Sequence, residues 1–452
     1  MTGRASGMEE KEQIGMVRQG IVLALILALA FNFINGLPVA IAVGLGLMIL
    51  LPRIGGPAIM TALALFGIFL FNLINRFFGI GVTLCHILLA GAIIMMILHP
   101  PESPSKGNRS RMSNYLVWVA LVWVLIIFGY LTGPKTDYSS YSITYFMIYG
   151  TFYLLLGIMV SRFRVRIEEI ILPCLLLFSC IFPQIGLTPL QMPVILDPQS
   201  GLRDVLEFSA IYHPRLAGLL FVMVMIYSMN SSRKIRILPE VIIAALICLS
   251  VIWFSYTRQV MAALIIALGV AVIRTIFSRN FVKSKRQKIL IIAAAVIFFG
   301  VITAWLFSDI NRVKSTRMGE GDMIIIDSNS GRLIWWSKSW EYIEKNPLIG
   351  YGMGSFSDFD LGFAGIGKPD WPHNWFIEVW FEYGLAGLLL FLIGAVILLR
   401  PLFINSGPQL TSWAILGAYW FIVIQLSGDI ARNSMIFFFI SISALEWKYS
   451  GE

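Results

Sequence analysis

Apolar runs of membrane-crossing length, separated by short polar breaks, recur along almost the whole chain. The pattern predicts spans near 20–35, 37–51, 57–74, 79–98, 114–132 and 141–161. Others fall near 168–186, 214–230, 237–256, 259–277 and 288–307, and a last group near 374–399, 410–427 and 431–447. That is about fourteen runs, each near the ~20 residues a helix needs to cross ~30 Å of hydrocarbon. The first two are short and glycine-rich and also fit a re-entrant pair; later orientations are the same either way. The expected fold is an all-α polytopic integral membrane protein with about 12–14 transmembrane helices.

The breaks are uneven. The expected organisation is a tail at 1–19, transmembrane helices over 20–307 with an outer loop near 187–213, a long extracytoplasmic loop at 308–372, C-terminal transmembrane helices over 373–447, and a tail at 448–452. Loops this long are functional or disordered, and the Trp, Gly and apolar content of 308–372 argues against disorder. Within it, "SNSGRLIWWSKSWEYIEKNPLIG" opens on helix-capping residues. Leu333, Trp336, Trp340 and Ile343 follow at helical spacing. Such a helix either lies in the membrane interface or packs on the protein's own face. The long loop is thus expected to bear short helices.

Composition agrees. The chain is 58% hydrophobic and 13% charged, with mean hydropathy +0.81, whereas a soluble chain carries about 25% charged residues. The net charge of +9 invites a nucleic-acid reading, but the basic residues sit in alternate loops. They are Arg53; Lys106, Arg109 and Arg111; Arg162, Arg164 and Arg166; Arg233, Lys234 and Arg236; a cluster from Arg274 to Lys288; and Arg400. This positive-inside bias predicts cytoplasmic termini and makes nucleic-acid binding unnecessary. Cys85, Cys174, Cys180 and Cys248 lie in apolar runs without CxxC pairing and read as buried thiols. Ala28-Leu29-Ala30 is a possible cleavage site, but the mixed-charge leader and the continuing apolar run favour retention.

Candidate chemistry gathers at the end of the long loop. After Asn346-Pro347, the run "IGYGMGSF" sets out Gly350, Gly352 and Gly354, either as a phosphate cradle or simply as turns. Asp358 and Asp360 form an Asp-x-Asp of the kind that holds a metal for nucleotide sugars, which is discounted outside the cytoplasm. In "PHNWFIEVWFEYGLAG" His373 and Asn374 open an apolar run holding Glu378 and Glu382. Carboxylates in a span are costly and normally face protein or water; pairing between helices would also explain them.

His373-Asn374, nine residues, then Gly384-Leu385-Ala386-Gly387 matches the His-Asn-x9-Gly-x-x-Gly signature of the O-antigen ligase and polymerase family. "SGRLIWW" through "NPLIGYGMGSF" resembles that family's run of Gly-Arg, Trp, Asn-Pro and spaced glycines, so the dense resemblance covers about 329–390. Arg215, in "RLAGL", resembles the family's Arg-x3-Leu element, without the Pro-Asn often found downstream. Arg258, in "SYTRQVMAA", resembles a second arginine, flanked here by Thr257 and Gln259 rather than Ser and Gly.

The resemblance implies transfer of a glycan from a polyprenyl-diphosphate carrier, such as undecaprenyl diphosphate, to an acceptor hydroxyl at the extracytoplasmic face of the bacterial inner membrane. It implies neither cofactor nor metal. The catalytic residues are expected to be His373 as general base, with Arg258 and Arg215 on the diphosphate. Asn374, Glu382, Arg332 and His213 are secondary substrate-binding candidates. An O-antigen ligase acting in lipopolysaccharide assembly is the first reading. A polymerase joining lipid-linked repeats shares the same motif. A transporter of glycans belongs to another class; it would show internal repeats and polar residues near the midplane, for which His86 is the best candidate, and no repeat is apparent.

Overall fold

In lipid a backbone must satisfy its own N–H and C=O groups, so long apolar runs fold as helices. The computed structural model describes chiefly residues 56–63, 106–171, 173–175, 203–230, 258–277, 328–358, 371–404, 406–427 and 433–445. These residues contain no strands. The helices are α1 (Gly56–Ala62), α2 (Lys106–Thr132), α3 (Asp137–Tyr145), α4 (Thr151–Phe163), α5 (Arg203–Asn230) and α6 (Arg258–Phe277). They continue as α7 (Ser328–Lys345), α8 (Ser355–Asp358), α9 (Trp375–Phe403), α10 (Pro408–Ser427) and α11 (Ile436–Leu445). A π turn, Phe146–Gly150, joins α3 to α4.

Among the described residues, four stretches are long and apolar enough to cross a membrane: Met112–Thr132, Asp137–Phe163, Trp375–Phe403 and Pro408–Leu426. The chain is an all-α polytopic membrane protein. The spans expected at 20–35, 37–51 and 79–98 lie outside the described residues, as does all but residues 289 and 300 of that at 288–307.

The chain divides into two compact units. One holds α1, α5 and nearly all of α4; the other holds α2, α3, most of α6 and α7 to α11. In the first unit α5 begins at Arg203 and runs through Pro214, where the sequence placed loop up to 213. Proline removes one helical donor, but Leu216, Ala217, Leu219 and Leu220 just beyond it are fully buried and hold the helix in place.

In the second unit α9 is the central helix, packed against α10, α11, α2 and α7. The face of α2 bearing Tyr115, Trp118, Val122 and Ile126 is buried, while Val117, Leu121, Val124 and Leu131 are exposed, as on a helix with one side in lipid. Trp118 donates its indole N–H to the Leu390 carbonyl at 2.8 Å, and Gly394 makes room for the ring. At the far end of α9, Arg274 of α6 donates to the Ile404 carbonyl at 3.0 Å.

The single span expected at 374–399 is corrected. Gly384 has φ 64 and ψ −164, which breaks α9 into two arms. Residues 375 and 391 would lie about 24 Å apart on a straight helix rising 1.5 Å per residue. Instead the Trp375 and Phe391 rings are 4.7 Å apart between centroids, so the first arm folds back beside the second.

The helix expected from Leu333, Trp336, Trp340 and Ile343 is present as α7, but turned about its axis. Ser339 and Ile343 are buried, with Ile343 against Phe381 of α9, whereas Trp340 is exposed. A small Ser339, its hydroxyl returned to the Trp335 carbonyl at 2.7 Å, allows close approach there. Trp340 moves to the rim and meets Trp380 edge-on at 5.1 Å.

Candidate functional site

His373 stands at the mouth of α9. Asn374 caps the helix, its side chain accepting from the Ile377 amide at 3.1 Å, and this directs the chain sharply out of the first turn. The residue before the cap, His373, is left-handed with φ 54. Such a conformation costs roughly 1–2 kcal/mol for a residue with a Cβ. It persists where surrounding structure over-determines it.

That structure comes from α7 and from residue 371. Trp336 donates its indole N–H to the Pro372 carbonyl at 2.8 Å. The His373 imidazole lies between Trp335, 5.5 Å between centroids, and Trp371 at 5.2 Å. Trp371 in turn stacks on Tyr138 of α3. The half-buried histidine is thus fixed in position by aromatic rings.

The glycine run holds the first arm in place. Asn346-Pro347 ends α7, since proline cannot donate and disfavours a helical residue before it. Gly350, Gly352 and Gly354 then adopt φ of 75, 87 and 78. The amide of Gly350 donates to Asn346, that of Tyr351 to the Phe381 carbonyl at 3.0 Å, and that of Gly352 to the Glu382 carbonyl at 2.8 Å. Met353 donates to the Gly129 carbonyl of α2 at 2.8 Å. Gly354 donates to the Glu382 carboxylate at 2.8 Å. Five consecutive amides are used within the protein, so the phosphate-cradle reading of this run is overturned. A Cβ on Gly352 would come within 2.3 Å of the Gly133 backbone; glycine is needed here for contact between backbones.

Glu382 is 3% exposed and Glu378 is 1% exposed. Both lie on the first arm, so neither sits in a straight lipid-crossing helix as the sequence implied. Glu382 is the side-chain end of the staple through Gly354. Glu382→Ala should leave that amide without its acceptor and cost about 1–3 kcal/mol, whereas Glu382→Gln keeps an oxygen there and should cost less. Thermal unfolding in detergent measures the difference; equal midpoints for the two variants would remove the staple.

Arg332 belongs to α7, on the helix that carries Trp335 and Trp336. Arg215 lies in α5 of the first unit and is 2% exposed, so its guanidinium is enclosed by protein rather than reaching out to headgroups. Arg258 is the first residue of α6, and His213 precedes Pro214 within α5. The side chains of Arg332, Arg258 and His213 lie outside the described residues.

Residues 243–392 match the family described as O-antigen ligase. The match takes in about a third of the chain and supports the resemblance to the O-antigen ligase and polymerase family. A comparison with curated proteins finds no match. The O-antigen ligase stretch contains Arg258, Arg332, His373, Asn374 and Glu382, while Arg215 and His213 precede it. The match supports a ligase-type membrane glycosyltransferase in general terms.

The structure gives the ligase signature a physical sense. Asn374 caps the helix, Gly384 breaks it, and a Cβ on Gly387 would meet the Tyr383 Cβ at 2.4 Å. The sequence did not single out Trp335 and Trp371 as neighbours of His373, nor Trp336 as the donor to Pro372. The one available signal was the density of tryptophan on both sides of the glycine run.

Proposed function

We propose that this chain transfers a glycan from a polyprenyl-diphosphate carrier to an acceptor hydroxyl at the extracytoplasmic membrane face. The observation supporting this reading is His373, held left-handed between two tryptophans at the mouth of a capped helix inside the matched stretch. Strained backbone held by its surroundings is characteristic of functional sites.

In the proposed reaction the acceptor oxygen attacks the anomeric carbon while its proton passes to His373. The bond from that carbon to the diphosphate oxygen breaks, and configuration inverts. The donor linkage supplies the driving force, so no ATP enters the step. Arg215 and Arg258 stabilise the negative charge gathering on the leaving diphosphate, a role suited to guanidinium forks in a site sheltered from water. Asn374, Arg332 and His213 are assigned to substrate binding. Glu382 acts indirectly, by orienting the arm that carries His373.

Purified protein given a polyprenyl-diphosphate-linked glycan should form no product until a glycolipid acceptor such as lipid A core is added. A ladder of longer chains from donor alone would show a polymerase instead. Movement of intact donor across vesicles with no new glycosidic bond would show a transporter.

A further inference from the structure

Between α7 and the glycine run the chain makes a knuckle, Pro347-Leu348-Ile349, with an unusual surface. Leu348 is 65% and Ile349 67% exposed, and Trp340 beside them is 46% exposed. The knuckle is nevertheless firmly held. Trp380 donates its indole N–H to the Pro347 carbonyl at 3.1 Å, and the Leu385 amide donates to the same carbonyl at 2.8 Å. Two bulky aliphatic side chains are therefore presented outward by a fixed backbone.

Their depth follows from α2. The apolar stretch Met112–Thr132 has the length of one bilayer crossing, so its last turn marks the hydrocarbon boundary. The neighbouring loop bonds to that turn, Met353 to Gly129 at 2.8 Å. Gly384, packed against the Leu348 carbonyl, adjoins Tyr383, whose ring lies over Gly129. Along the second arm of α9, Leu389, Leu392, Ile393 and Val396 form an exposed apolar stripe. On the other side α7 presents an exposed ion pair, Lys338 to Glu341 at 3.0 Å, and Lys345 lies over Tyr342.

We propose that Leu348 and Ile349, with Trp340 and Trp380 at their rim, form an interfacial foot inserted among the acyl chains of the bilayer. The aromatic rings lie at headgroup depth, as tryptophans prefer, and Lys345 and the Lys338–Glu341 pair lie on the aqueous side. The foot gives the loop between α7 and α9 a second attachment to the membrane. It acts on the site through backbone, because the Leu348 carbonyl abuts the Gly384 break that aims the arm bearing His373.

Spin labels at Leu348→Cys, Ile349→Cys and Glu341→Cys test this in the full chain reconstituted in phospholipid nanodiscs. Cys85 and Cys180 are replaced by alanine, and the buried Cys174 and Cys248 are kept. Positions 348 and 349 should relax faster with oxygen than with a water-soluble nickel chelate, and position 341 the reverse. Nickel access at 348 and 349 equal to that at 341 overturns the proposal. So does low access to both agents, which would mean a protein cover. A photo-crosslinking residue at 348 in the otherwise native chain gives an independent reading: attachment to phospholipid supports the foot, and attachment to protein or to nothing overturns it.

Discussion

Gly384→Ala should cost the second unit a large part of its stability. The backbone at 384, with φ 64 and ψ −164, lies in a region essentially reserved for glycine, at about 1–3 kcal/mol for other residues. The added Cβ would also stand 2.3 Å from the Leu348 carbonyl oxygen, 2.4 Å from its carbon and 2.6 Å from that of Ile349. These are backbone atoms held by the bonds from Trp380 and Leu385 to Pro347, so they cannot turn aside as a side chain would. Overpacking adds roughly 1–3 kcal/mol. The combined loss is a large part of the ~5–15 kcal/mol by which a native protein is stable. Gly394→Ala is the control: its Cβ would meet the Trp118 ring at 2.7 Å, a side chain with some freedom to shift, at ordinary helical backbone angles. Fluorescence-detected size exclusion after a heating series should show Gly384→Ala losing its folded peak well below the wild type, with Gly394→Ala between them. A Gly384→Ala protein as stable as the wild type would show that α9 is not broken there.

The same glycine explains which parts of the fold could be read in the sequence. Helices set by a run of apolar residues between polar ends were legible: α6 and α10 begin and end within a few residues of the expected 259–277 and 410–427. The break in α9 was not, because a lone glycine in an apolar run leaves the hydropathy pattern intact and glycine is common in membrane helices. What forces the break is the Pro347–Gly354 segment, far away in sequence, whose amides bond to residues 381 and 382. The rotation of α7 was hidden for a related reason. Trp340 is as apolar as the residues that α7 buries, and only the partner surface decides that Ser339 goes inward. For the site, the His-Asn signature located His373 and its cap. The left-handed backbone, the two rings beside it and the structural use of Glu382 depend on contacts between distant segments, which spacing alone does not encode.

Replacing His373 should abolish turnover without unfolding the protein, and the left-handed backbone makes this prediction sharp. At φ 54, glycine is free of the strain and asparagine tolerates it better than most residues. If the position served only to turn the chain into α9, His373→Gly and His373→Asn would do so at least as well as histidine. Loss of the ring contacts with Trp335 and Trp371 offsets some of the relief, so the unfolding free energy should stay within about 1 kcal/mol of the wild type, given the ~1–2 kcal/mol scale of left-handed strain. A general base has no such substitutes. Neither side chain accepts the acceptor proton, and turnover should fall about 10²–10⁴-fold in both variants. The loss should lie in kcat, with affinity for the lipid-linked donor retained, since the proposed diphosphate contacts belong to Arg215 and Arg258. Donor binding and thermal unfolding measured beside the transfer assay separate the alternatives. Normal folding and binding with lost turnover supports a base at this position. Wild-type turnover in His373→Gly would remove it, and lost donor binding would move His373 from proton transfer to substrate recognition.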